Sequence, residues 1–155
     1  MAGSRLTLEA WIQPTAGSGP GTIATRGTAA NGYDYRLVWD DGVLAVTILT
    51  AAGATRVVAA TGPAAAPPGA ISHVVVTLDD TTDNIRFYVN GADVAMSSAT
   101  WSGVSTVQAA DALVVGRASD QAGAFFAGVI DEVAVYDSVL SPQRIAEHHA
   151  AGSIP

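Results

Sequence analysis

No cysteine occurs in these 155 residues, which excludes disulfides, thiolate catalysis and zinc–thiolate centres. No lysine occurs either: all seven basic residues are arginine, against fourteen acidic ones. The arginine-only usage reads as a bias of genome composition, not as a device. The resulting net charge of −7 is the wrong sign for nucleic acid or an anionic lipid surface, both of which need a basic footprint. Hydrophobic residues make up 49% of the chain, yet no apolar run approaches the ~18 residues of a membrane helix. The longest runs, such as Val74-Val75-Val76, are strand-sized, so membrane insertion is not expected. The start, Met1-Ala2-Gly3-Ser4-Arg5, lacks an apolar core segment, and no signal peptide is visible. Either the chain is exported by another route, or it is a piece of a longer protein.

What is present is alternation. Leu6, Leu8, Ala10 and Ile12 share one face of a strand that ends at Pro14. Tyr33, Tyr35, Leu37 and Trp39 share another, and Asp40-Asp41-Gly42 turns that strand back into Val43–Thr50. Further strands are expected over Thr22–Arg26, Thr55–Ala60, Ile71–Leu78 and Ile85–Val89. Asn90-Gly91, the strongest hairpin signal in the sequence, then leads into Ala92–Met96. Ser97–Ala110 reads as a polar, irregular passage holding Trp101, and Leu113–Arg117 as a strand. One long strand runs from Phe125 to Tyr136, and Ser141-Pro142 opens a helix over Gln143–Ala150. Roughly ten short strands with turn signals about every 6–12 residues describe an all-β fold. It is expected to be an antiparallel two-sheet β-sandwich with one short C-terminal helix, spanning residues 1–155 as one domain.

Several of these segments, in this order, resemble the laminin-G-like, concanavalin A-like jelly rolls of bacterial surface proteins and phages. They are Leu6-Thr7-Leu8-Glu9-Ala10-Trp11-Ile12, Ser72-His73-Val74-Val75-Val76-Thr77, Ile85-Arg86-Phe87-Tyr88-Val89-Asn90-Gly91, Leu113-Val114-Val115-Gly116, Gly128-Val129-Ile130-Asp131-Glu132-Val133-Ala134-Val135-Tyr136 and Leu140-Ser141. The resemblance covers nearly the whole chain and implies the jelly-roll form of the sandwich. Two departures stand out. Ser72 takes the place of the family's Trp, and the family's first strand, ahead of the Leu-Thr-Leu-Glu-Ala-Trp segment, has no counterpart. A gap left by that strand would expose a sheet edge, which invites pairing between chains.

Asp131 is the leading site residue. Strict alternation aligns it with Val129, Val133 and Val135, and a carboxylate buried among valines needs a cation, a metal or backbone N–H groups. The resemblance implies a structural Ca²⁺ at this place, and hard oxygen ligands suit that ion; pairing with backbone N–H groups or an Arg is the alternative. The acidic turn Asp79-Asp80-Thr81-Thr82-Asp83-Asn84 lacks the spacing of a calcium loop and reads as a solvated hairpin. Trp101, Tyr33 and Tyr35 are the aromatics named as a platform for a sugar ring, which offers apolar C–H faces between hydroxyls. Trp11 and Trp39 are expected in the core. His73 reads as a packed, hydrogen-bonded strand residue, and His148-His149 as a solvated helix end.

Catalysis is not expected. A glycosidase needs two carboxylates ~5–5.5 Å or ~6.5–9.5 Å apart, and the only glutamates are Glu9, Glu132 and Glu147. Asp131 and Glu132, as neighbours on a strand, point apart. The expected function is a non-catalytic recognition module for carbohydrate, such as a cell-surface glycan, or for adhesion. Its place would be extracellular, at a cell or virion surface. The alternative is a structural or assembly protein, such as a virion decoration, tail or appendage component, whose partners are protein subunits.

Overall fold

The computed structural model describes residues 5–28, 32–49, 55–79, 81–82, 84–101, 111–118 and 124–152, without the side chains of 32–33, 49, 55–58 and 97–101. Eleven strands and one helix lie among them. The strands are β1 (Arg5–Pro14), β2 (Gly21–Thr28), β3 (Gly32–Asp40), β4 (Val43–Leu49), β5 (Thr55–Thr61), β6 (Ser72–Asp79), β7 (Asn84–Val89), β8 (Ala92–Val94), β9 (Met96–Trp101), β10 (Leu113–Val115) and β11 (Gly128–Tyr136); α1 spans Pro142–Gly152. They build one sheet in the order β11-β1-β6-β7-β8 and a second in the order β10-β2-β3-β4-β5-β9, every pairing antiparallel. This is the jelly-roll sandwich.

The core follows from period-2 alternation. Leu8, Ala10 and Ile12 of β1, Val74, Val76 and Leu78 of β6, and Ile85 and Phe87 of β7 point inward from the five-stranded sheet. Tyr35, Leu37 and Trp39 of β3 and Leu44, Val46 and Ile48 of β4 meet them from the other. The Trp39 indole N–H donates to the Ala66 carbonyl at 2.8 Å, which pins the Pro-rich loop over the core. Both predicted two-residue hairpins form, with positive φ at Asp41 (43°) and Gly42 (88°) and at Asn90 (52°) and Gly91 (78°), the twist that matches flanking strands. Asn90 also accepts the His73 amide at 2.9 Å.

Two expectations change. The passage from Ser97 is not irregular at its start: Met96–Trp101 forms β9, paired with β5, and Trp101 lies opposite Val57. β11 does not alternate strictly. Its register against β1 moves from Glu9↔Ala134 to Trp11↔Asp131, three steps on β11 against two on β1. Glu132, at φ +48°, absorbs the extra residue as a β-bulge. Ile130 and Val133 consequently both pack toward the core, while Asp131 and Glu132 are exposed. β11 is also a sheet edge, paired only with β1 among the described residues.

Candidate functional site

The outward face of the five-stranded sheet is where polar chemistry gathers. The register sets Glu9 opposite Val75 and Trp11 opposite His73 on β1 and β6, and Val75 opposite Tyr88 on β6 and β7. Helix α1 lies across this face. Thr7 ties down its approach, donating to the Ser138 carbonyl at 2.7 Å and accepting the Leu140 amide at 3.0 Å. Ser141 then caps the helix, its hydroxyl accepting the Arg144 amide at 3.2 Å, as a Ser N-cap does. Ile145, fully buried, packs with Val75 and Tyr88.

The far end of α1 is held by a polar centre. Glu9 is 6% exposed; its Oε1 lies 2.7 Å from His73 Nε2, and His148 Nδ1 lies 3.0 Å from Oε2 and 3.1 Å from Oε1. Burial alone would raise the Glu9 pKa, but the two imidazole bonds and their attraction outweigh it and hold the group down at about 2. Trp11 stacks beside this centre, 5.6 Å from the His149 ring and 5.0 Å from that of His73. Gly152 leaves room for that indole, since a Cβ there would lie 2.6 Å from the ring. Burial and the neighbouring Glu9 carboxylate push the Tyr136 phenol upward. His73 is the packed strand residue expected of it. His148 and His149 are not a solvated helix end: they face Glu9 and Trp11. Trp11 is half-buried under α1, outside the core, whereas Trp39 is in it.

Helix α1 leaves a cleft at each end. At its C-terminal end, Trp11, Gln13, Ile71, Val129, Asp131 and Glu132 border an open recess of about 250 Å³. At its N-terminal end, a cleft of about 230 Å³ opens between the sheet and the turn into the helix, bordered by Thr77, Asp79, Asn84, Arg86, Tyr88 and Leu140. Asp79 is held ionised, first by the Thr81 hydroxyl and also by Arg5, whose Nε is 3.5 Å away. Arg86 is paired with Asp93 at 2.7 Å.

The site residues expected from the sequence do not assemble. Tyr35 is 3% exposed and part of the core, because its alternation with Leu37 and Trp39 turns it inward; it is no platform for a ligand. Tyr33 and Trp101 lie on β3 and β9 of the six-stranded sheet, with side chains outside the described residues. Asp131 is exposed, and its Oδ1 accepts the Glu132 amide at 2.8 Å, closing the bulge. It is no buried charge in need of a cation, and no group of three or more His, Asp or Glu side chains able to hold a metal gathers among the described residues. The described residues do not fit a structural Ca²⁺ at Asp131. Asp131→Ala is expected to cost under ~0.5 kcal/mol, as surface substitutions do; a loss above ~2 kcal/mol in urea denaturation would contradict this placement.

The family model described as the concanavalin A-like lectin/glucanases superfamily matches residues 1–146. The chain belongs to this superfamily. No curated protein matches it. Among solved structures, this superfamily member resembles the Ruminococcus gnavus IT-sialidase CBM40 bound to α2,3-sialyllactose, at 15% identity and TM-score 0.75, over 94% of this chain and 83% of that one. The native heptameric SAP-like pentraxin from Limulus polyphemus matches at 17% identity and TM-score 0.67, over 93% and 69%. The botulinum neurotoxin type G receptor binding domain matches at 11% identity and TM-score 0.70; this chain covers 38% of it. At such identities the likeness is one of fold.

Proposed function

We propose that this protein is a non-catalytic recognition module whose ligand is carbohydrate, acting at a cell or virion surface. The observation that carries the reading is a lectin/glucanase-superfamily sandwich with an open cleft that combines hydroxyl, amide and charged groups with an apolar wall. That mixture suits a sugar, which presents hydroxyls and C–H faces together. The carbohydrate-binding CBM40 neighbour supports the class of ligand. Against catalysis stands the arrangement of acids: Glu9 is buried and committed to two histidines, and Glu132 sits in an exposed bulge. Among the described residues, neither faces a second carboxylate in the manner a glycosidase requires. A glycan array probed with the purified protein, with and without Ca²⁺, is expected to show a bounded set of binders in both conditions. An array blank in both would overturn the reading.

One observation favours a second reading, a protein partner in an assembly. Ile71, Phe125 and Val129 are 64%, 61% and 57% exposed, and β11 is an edge strand open to pairing. Light scattering after size exclusion separates the two: the recognition module runs as a monomer, whereas an assembly subunit runs as a stable oligomer.

A further inference from the structure

The cleft at the N-terminal end of α1 is bordered by two residues whose hydroxyls no described protein group engages. Thr77 and Tyr88 are 4% and 2% exposed, and neither hydroxyl finds a hydrogen bond among the described residues. Neither is sealed off, since the buried, unpartnered side-chain atoms among the described residues are Ser72 Oγ and His73 Nδ1. Both hydroxyls are thus open to the cleft, free to bond water or a ligand that displaces it.

Their neighbours state what completes it. Thr77 pairs across the strands with Arg86, and Val75 with Tyr88, so both hydroxyls lie on the sheet face that α1 covers. Asn84 and Arg86 rim the cleft, and Leu140 supplies an apolar wall that packs with Tyr88. The charges are already spent on each other: Asp79 with Arg5 at 3.5 Å and Arg86 with Asp93 at 2.7 Å. With both rim charges paired, the cleft offers no unmatched charge to call for an ionised ligand. The volume of about 230 Å³ lies below the ~300–1,000 Å³ of pockets for drug-sized ligands, room for one ring within the cleft.

We infer that this cleft, on the helix-covered sheet, binds a single uncharged pyranose ring, with its hydroxyls on Thr77, Tyr88 and Asn84 and a C–H edge on Leu140. This rests on the carbohydrate reading and adds the place and the charge of the sugar. It also separates this chain from the CBM40 neighbour, whose bound ligand is a sialyllactose.

The test measures binding of galactose, glucose, mannose and N-acetylglucosamine, with sialyllactose as the anionic comparator, by saturation-transfer NMR and calorimetry. The wild type, Tyr88→Phe and Thr77→Val are compared. Each substitution deletes one hydroxyl and keeps the shape. The expected result is that at least one neutral sugar binds, that each variant weakens it roughly 3–10-fold, and that the urea midpoint does not fall, because the hydroxyls have no partner within the protein. Neutral-sugar binding unchanged in both variants would overturn the cleft and leave the carbohydrate reading standing. Binding of sialyllactose alone would overturn the uncharged ring. Binding of none of the five, with a blank array, would overturn both.

Discussion

Glu9→Ala is expected to lower stability by about 3–5 kcal/mol, the loss typical of breaking a buried charged pair from one side. The carboxylate is 6% exposed and serves imidazoles from two different elements, β6 and α1. Its removal leaves His73 Nε2 without an acceptor in a ring whose Nδ1 is already buried and unpartnered. It also cuts the C-terminal half of α1 from the sheet, leaving Ile145 and the Trp11–His149 stack to hold the helix. Glu9→Gln, which keeps the shape and one acceptor, should cost less. The pH dependence follows from the lowered pKa. Glu9 falls from an ordinary 4.5 to about 2 in the folded protein, so its contribution is complete above pH 4.5 and disappears as pH drops toward 2. The difference corresponds to roughly 3 kcal/mol at most. Urea midpoints of the wild type and Glu9→Gln should therefore lie well apart at pH 7 and converge as pH falls from 4.5 to 2. A gap that stays constant over that window would show that Glu9 is not held ionised by its histidines.

Gly128→Ala is expected to cost roughly 3 kcal/mol or more, by a different cause. Gly128 opens β11 beside the end of β1, at φ +146°, where a Cβ would lie 2.2 Å from the Gln13 carbonyl oxygen and 3.0 Å from Pro14 Cα. Both contacts are backbone, so no rotamer change relieves them; the two strands must part at Gln13–Pro14. A conformation that side chains rarely adopt adds about 1–3 kcal/mol, and overpacking of a close contact typically another 1–3 kcal/mol. Gly19→Ala is the control, since a Cβ there meets nothing within 4 Å; its urea midpoint should match the wild type. Equal midpoints for the two variants would contradict the close approach of β11 to β1.

What could be read from the sequence was what short-range chemistry determines. Asn90-Gly91 and Asp41-Gly42 supply their own positive φ, and the alternation of Leu6 through Ile12 announced β1 without help from its neighbours. The bulge at Glu132 could not be read, because it exists only in the register between β11 and β1. Assuming strict alternation placed Asp131 among valines that it does not join. β9 was hidden by its Ser, Ala and Thr residues, whose period is too faint to set against a loop. Tyr35 was legible and misjudged: the alignment that proposed it as a platform also aligned it with Leu37 and Trp39, which are core. The helix clamp escaped because Glu9 and His148 are 139 positions apart. Nothing in a dipeptide such as His148-His149 says which face the helix will cover. The cleft is of the same kind, since Thr77, Tyr88 and Leu140 belong to three segments that carry no motif in common.

The recognition account is tested most directly by following backbone amide signals while a neutral monosaccharide that binds is titrated in. Shifts confined to Thr77–Asp79, Asn84–Tyr88 and Val139–Ser141 are the predicted result, with the amides of β3, β4 and β5 unmoved. Shifts that map instead to the six-stranded sheet, with Thr77 and Tyr88 silent, would contradict it.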